Sequence, residues 1–127
     1  MATRPSFTSG DVFTAANANI LATSIVALNT QSGTAYTAAL TDVGKLINFT
    51  SNSAIVFTIP ANATVAFAVG DQINVYQAGS ATVTITPAAT VTVRSGGSKL
   101  KTNEQFAIAT CVKIDTNEWV AVGNLKA

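Results

Sequence analysis

The chain has no histidine and a single cysteine, Cys111, among its 127 residues. Without histidine, the Ser–His and Cys–His pairs that activate most hydrolytic nucleophiles cannot be assembled. With one cysteine, there is neither an intrachain disulfide nor a four-ligand structural zinc site. Charge is scarce too: seven Lys and Arg and six Asp and Glu make 10% of the chain, against about 25% in an average soluble domain. A net charge of +1 lacks the basic excess that releases counterions from nucleic acid or anionic lipid. Neither nucleic acid nor a membrane is expected as a partner. Hydrophobic residues reach 48% and mean hydropathy is +0.38, yet no apolar run approaches the ~20 residues that span a bilayer. A secretory signal is not expected either, because Asp11 separates Arg4 from an apolar stretch that Thr23 and Ser24 interrupt.

What remains is a surface built from Thr, Ser, Asn and Ala. Such a surface is easily desolvated, since unpaired charge is what usually opposes burial. The composition favours an assembly component over a freely diffusing enzyme. Asp11, Asp42, Asp71, Asp115, Glu104 and Glu118 stand alone, nearly all at expected turns, where carboxylates bond nearby backbone N–H groups. No catalytic, cofactor-binding or metal-binding residue is expected. Cys111 lies in the apolar run 106–114 and reads as a buried, inert thiol. Ser95, Gly96, Gly97 and Ser98, flanked by Arg94, Lys99 and Lys101, lack the spacing and following helix of a phosphate cradle. They read as a basic loop.

The length suits one domain, with a break in composition near 29–33. An N-terminal arm and short helix are expected over 1–30, and a β-domain over 34–127. The Ala-rich stretch 15–28 places Ile20, Leu21, Ile25 and Leu28 at helical spacing. Downstream, Val-, Ile- and Thr-rich segments predict strands at 34–38, 45–49, 54–59, 72–77, 81–86, 90–94, 105–114 and 119–122. Seven or eight short strands at this spacing predict an antiparallel β-sandwich or barrel, with no repeat architecture. Segment 105–114 puts Phe106, Ile108, Val112 and Ile114 on one side, interrupted by Thr110, and Ala107, Ala109, Cys111 and Lys113 on the other. Asp115 to Glu118 reads as its hairpin loop. The near-duplicates 82–86 and 90–93 are expected as adjacent strands sharing a threonine face. Thr84 and Thr92 on that face, with Tyr76 and Trp119, are the candidate oligomer contacts.

The opening Phe7-x-x-Gly10-Asp11-Val12-x-Thr14-Ala15-Ala16-x-x-Asn19 resembles a segment near the attachment regions of tailed-phage fibre proteins. Tyr36-Thr37, Asp42-x-Gly44-Lys45, Phe57-x-Ile59-Pro60, Val69-Gly70-Asp71-Gln72-Ile73 and Asn117-Glu118-Trp119 resemble a small β-domain of phage virion proteins. The resemblance implies a non-enzymatic virion structural protein, usually a homotrimer. It would be a decoration, cement or head-fibre protein on the capsid exterior, with the major capsid protein as partner. The alternative it implies is a tail-fibre component, or a receptor- or glycan-binding tip meeting a tail protein or host surface receptor. In the decoration reading, Arg4, Phe7, Val12, Phe13, Ile20, Leu21 and Ile25 are the candidate anchoring residues.

Overall fold

The computed structural model describes residues 27–127. The candidate anchor residues Arg4, Phe7, Val12, Phe13, Ile20, Leu21 and Ile25 lie outside them, as does nearly all of the helix expected over 15–28. Where that expectation does reach the described residues, it is corrected: Leu28 opens a strand. The β-domain therefore already includes Leu28 rather than beginning at 34.

The described chain forms eleven strands: β1 (Leu28–Gln31), β2 (Ala35–Thr37), β3 (Leu46–Phe49), β4 (Ile55–Ile59), β5 (Gln72–Gln77), β6 (Val83–Pro87), β7 (Thr92–Arg94), β8 (Lys101–Thr102), β9 (Ile108–Asp115), β10 (Glu118–Gly123) and β11 (Leu125–Lys126). They make two sheets, one of six strands ordered β1-β3-β5-β9-β10-β7 and one of five ordered β11-β8-β6-β4-β2. The mainly β, sandwich-like architecture is as expected. The pairing within it is mixed rather than purely antiparallel.

The chain crosses from one sheet to the other at nearly every connection, so consecutive strands seldom pair. β1, β3 and β5 run parallel, with Leu28 beside Leu46 and Leu46 beside Asn74. β2, β4 and β6 do the same in the facing sheet, Ala35 beside Val56 and Val56 beside Thr84. The first six strands thus wind as three stacked two-strand turns. Their corners bond one above another: Thr50 N donates to Gln31 O, and the N–H groups of Ala78 and Gly79 both donate to Phe49 O. Gly79 is required there, because a Cβ would meet Thr50 O at 2.6 Å and Ser51 O closer still. Sequence periodicity hides this winding, since the opposite corners differ in length: 38–45 in one turn and 60–71 in the next.

The near-duplicate threonine segments correct a second expectation. β6 lies in the five-stranded sheet and β7 in the six-stranded one, because Pro87 to Thr90 turns a corner between sheets instead of closing a hairpin. The antiparallel part is later: β9 pairs with both β5 and β10. The hairpin at Asp115 to Glu118 forms where expected, with Glu118 opposite Asp115.

Between the sheets lies one core of Ile, Val, Ala and aromatic side chains. Phe49 and Phe57 meet edge to face at 5.7 Å, and Tyr36 stacks on Phe57 at 6.4 Å. Phe67 meets Trp119 edge to face at 5.3 Å. Such aromatic pairs each add about 0.5–1.5 kcal/mol beyond the area they bury.

Candidate functional site

Three polar clusters are buried in this core. Asp42, fully buried, ends a 3-10 turn at Leu40–Asp42. Its Oδ1 accepts from Asn29 Nδ2 at 2.7 Å; its Oδ2 accepts from Tyr36 OH at 2.7 Å and Ala39 N at 2.8 Å. Burial, and then the bond and charge of Asp42, hold the Tyr36 hydroxyl above its ordinary pKa. Lys113, also buried, donates from Nζ to Asn62 Oδ1 at 2.6 Å and Phe67 O at 2.7 Å. Asn117 Oδ1 accepts from Asn62 N at 2.9 Å, so the 61–70 loop is pinned to the β9–β10 hairpin by side chains. Gln77 of one sheet accepts from the Thr102 hydroxyl of the other, whose oxygen accepts from Val83 N at 2.9 Å. Every member of these clusters is spent on a protein partner, which is what buried polar groups require. They hold the fold together.

Asp71 and Asp115 behave as turn residues. Asp71 accepts from Ala68 N, and Asp115 from Thr116 N. Arg94 and Glu118 form the only ion pair among the described residues, 2.7 Å apart. Arg94 also borders a shallow depression of about 440 Å³ lined by Thr92, Val93, Ser95, Ser98 and Leu100. Its guanidinium is engaged by Glu118. Among the described residues, no group of three or more Cys, Asp and Glu could hold a metal ion, and no helix is long and apolar enough to cross a membrane. Cys111 is buried and its thiol is pushed up to about 12 by desolvation.

The candidate oligomer contacts do not share one face. Trp119 is 1% exposed and belongs to the core, so it offers no surface to another copy; its alternation with Val120 points it inward against Phe67. Thr84 is half-buried on the outer side of the five-stranded sheet, in register with Val56 and Lys101. Thr92 is exposed on the outer strand β7 of the six-stranded sheet, beside Glu118. Tyr76 is half-buried on that same sheet, directly opposite Ile108.

Strand β9 holds the feature that sequence reasoning missed. Its small residues Ala109 and Cys111, with Lys113, face inward, while Ile108, Thr110, Val112 and Ile114 face out. The bulkier apolar set is therefore on the solvent side. Just before β9, Gln77 stands opposite two residues: Phe106 N donates to Gln77 O at 2.7 Å and Gln77 N donates to Ala107 O at 3.0 Å. This β-bulge also closes a turn, Ala107 N to Glu104 O at 3.2 Å. Phe106 occupies its first position at φ +71°, where glycine or asparagine belongs. Holding a phenylalanine there costs about 1–3 kcal/mol, and the residue is 65% exposed. No turn residue in Glu104-Gln105-Phe106 signals the bulge.

Ile108 and Val122 are also exposed beside it, Val122 diagonal to Ile108 across the β9–β10 ladder. Gly123 keeps this corner open to close approach, because a Cβ at its φ of +137° would strike Ile108 O and lie 2.7 Å from Ala109 Cα. Apart from the Arg94–Glu118 pair at the far edge, the outward residues of the six-stranded sheet are uncharged: Leu28, Thr30, Leu46, Asn48, Gln72, Asn74 and Tyr76 continue the face from β9.

The chain matches no known family model, no curated protein and no solved structure.

Proposed function

We propose that this is a non-enzymatic structural protein of a tailed-phage virion, a homo-oligomer that decorates the capsid exterior and stabilises the shell. The observation that carries the reading is the outer face of the six-stranded sheet, which presents apolar and amide side chains with a single edge ion pair. A surface of that kind is suited to lasting cover by protein. The scarcity of charge over the whole chain supports the same reading, as do the motif resemblances from Phe7 to Trp119. Contacts repeated over a lattice stabilise a shell by mass action, because the decorating protein binds only the assembled form. In this reading the candidate anchoring residues from Arg4 to Ile25 contact the shell and the β-domain stands outside it.

A label on Ala127, imaged on particles, tests the proposal. Label at lattice positions over the capsid is the expected result. Label confined to the tail would replace the reading with a fibre component, and virions without label would overturn both.

A further inference from the structure

We infer that the outer face of the six-stranded sheet, centred on Phe106, Ile108 and Val122, is where copies of this chain meet one another, each turning this face toward a common symmetry axis. The inference rests on the self-association part of the function proposed above and names the surface responsible.

Three observations converge on that corner. First, β9 is inverted relative to a solvent-facing strand, with Ala109, Cys111 and Lys113 inside and Ile108, Val112 and Ile114 outside. Shifting a strand by one residue exchanges its two faces, so an outward bulky set is retained only where something covers it. Second, Phe106 holds a left-handed bulge position that glycine fills without strain. The bulge itself has no use for the ring, which is exposed. Strain kept at an exposed aromatic points to a contact made by that aromatic. Third, Tyr76 lies across from Ile108 and Val122 diagonally beside it, so four apolar side chains share one end of the sheet.

Charge selects the occupant. The outer side of the five-stranded sheet carries Lys101 and Lys126 in register, so packing that side onto the apolar face would bury lysines against no acid. Packing the apolar face against its own copy brings no charged strand residue together at the Phe106 end, where the nearest charge, Glu104 in the adjoining turn, accepts from Asn124 Nδ2 of its own chain. The Arg94–Glu118 pair, already neutralised within one chain, sits at the opposite edge. Area agrees as well. Strand lengths and spacing give the face a projection of roughly 500 Å². The turns at 104–106 and 123–124 extend it toward the about 800 Å² per partner that a specific interface buries.

Sedimentation of the full chain over a concentration series tests this, with Phe106→Gly, Val122→Thr and Val56→Thr compared. Val56 is also apolar and exposed, on the outer side of the other sheet. Wild type is expected to associate, Phe106→Gly to weaken association about tenfold or more, and Val122→Thr to weaken it less. Val56→Thr is expected to associate as wild type. Circular dichroism separates folding from association, and Phe106→Gly is expected to keep the wild-type spectrum because it removes strain. Association by Phe106→Gly at wild-type strength, or equal weakening by Val56→Thr, would overturn the inference while leaving the capsid reading to the label experiment. A wild-type chain that stays monomeric at every concentration would overturn this inference and the self-association it rests on. Association lost on Phe106→Gly with no label on virions would uphold the surface and reject the virion role.

Discussion

The ammonium of Lys113 lies 2.6 Å from the side-chain oxygen of Asn62, 51 residues earlier, joining the longest strand to a distant loop. The same nitrogen bonds Phe67 O, and Phe67 packs edge to face on Trp119. One buried lysine thus sets the position of the loop that covers that end of the core.

Lys113→Met keeps the aliphatic stem but leaves two buried acceptors without donors. A loss of about 2–4 kcal/mol in unfolding free energy is expected. Hydrogen exchange should show the loss of protection concentrated in 61–70, with Asn62 N and Val65 N rising first. A uniform rise over both sheets would contradict the local role given to Lys113.

Asp42 accepts three hydrogen bonds and is paired with no cation among the described residues, so its value lies in satisfying Asn29, Tyr36 and Ala39. Asp42→Ala is expected to cost about 3 kcal/mol, since Tyr36 OH and Ala39 N lose their acceptor and Asn29 Nδ2 keeps only its bond to Tyr36. Removing residues 1–26 leaves this cluster whole. Removing 1–33 takes away Asn29 and strips β3 of its outer neighbour β1, so the shorter chain should melt markedly lower. Shell binding by residues 1–26 is therefore properly tested with a chain that starts at Ala27.

Alkaline pH should destabilise the fold through two groups. Tyr36 and Cys111 both have folded-state pKa values raised above their ordinary ones of 10.0 and 9.0, the thiol to about 12. The unfolded chain therefore releases these protons first. Their contribution is intact below pH 9, declines as pH rises past 9 for Cys111 and past 10 for Tyr36, and is lost once pH passes the folded-state values. Denaturant midpoints measured from pH 8 to 11 should fall, and Tyr36→Phe should flatten the part above 10. Thiol reagents at pH 8 should label Cys111 only at the rate at which the protein opens.

Gly79 and Gly33 both sit at corners joining the two sheets, yet substitution should separate them. A Cβ at Gly79 collides with the backbone of Thr50 and Ser51, whereas at Gly33 nothing lies within 4 Å. Gly79→Ala is expected to cost about 2–4 kcal/mol and Gly33→Ala to stay within about 0.5 kcal/mol of wild type. Thermal melts of the two variants decide this directly.

Strand positions were largely legible from residue type. β5 at Gln72–Gln77 and the Asp115-to-Glu118 hairpin follow from alternation and turn chemistry, which are local. The two-residue strands β8 and β11 carry no such signal and exist because neighbouring strands offer them partners. Leu28 shows the same limit from the other side. Its spacing from Ile25 and Leu21 fits a helix, but pairing beside Leu46 makes it a strand, since a free sheet edge supplies hydrogen bonds that a marginal helix cannot match.

Residue types alone were enough for the secondary-structure class, the absence of histidine and intrachain disulfide chemistry, and a surface poor in charge. Each of these depends only on which residues are present and on their near neighbours. Tertiary structure decided which strands pair, and so separated Thr84 from Thr92. It also decided that Trp119 is core and that Phe106 and Ile108 are surface. Those outcomes depend on long-range register. In an alternating strand register chooses which of two faces is buried, and on β9 it buries Ala109, Cys111 and Lys113.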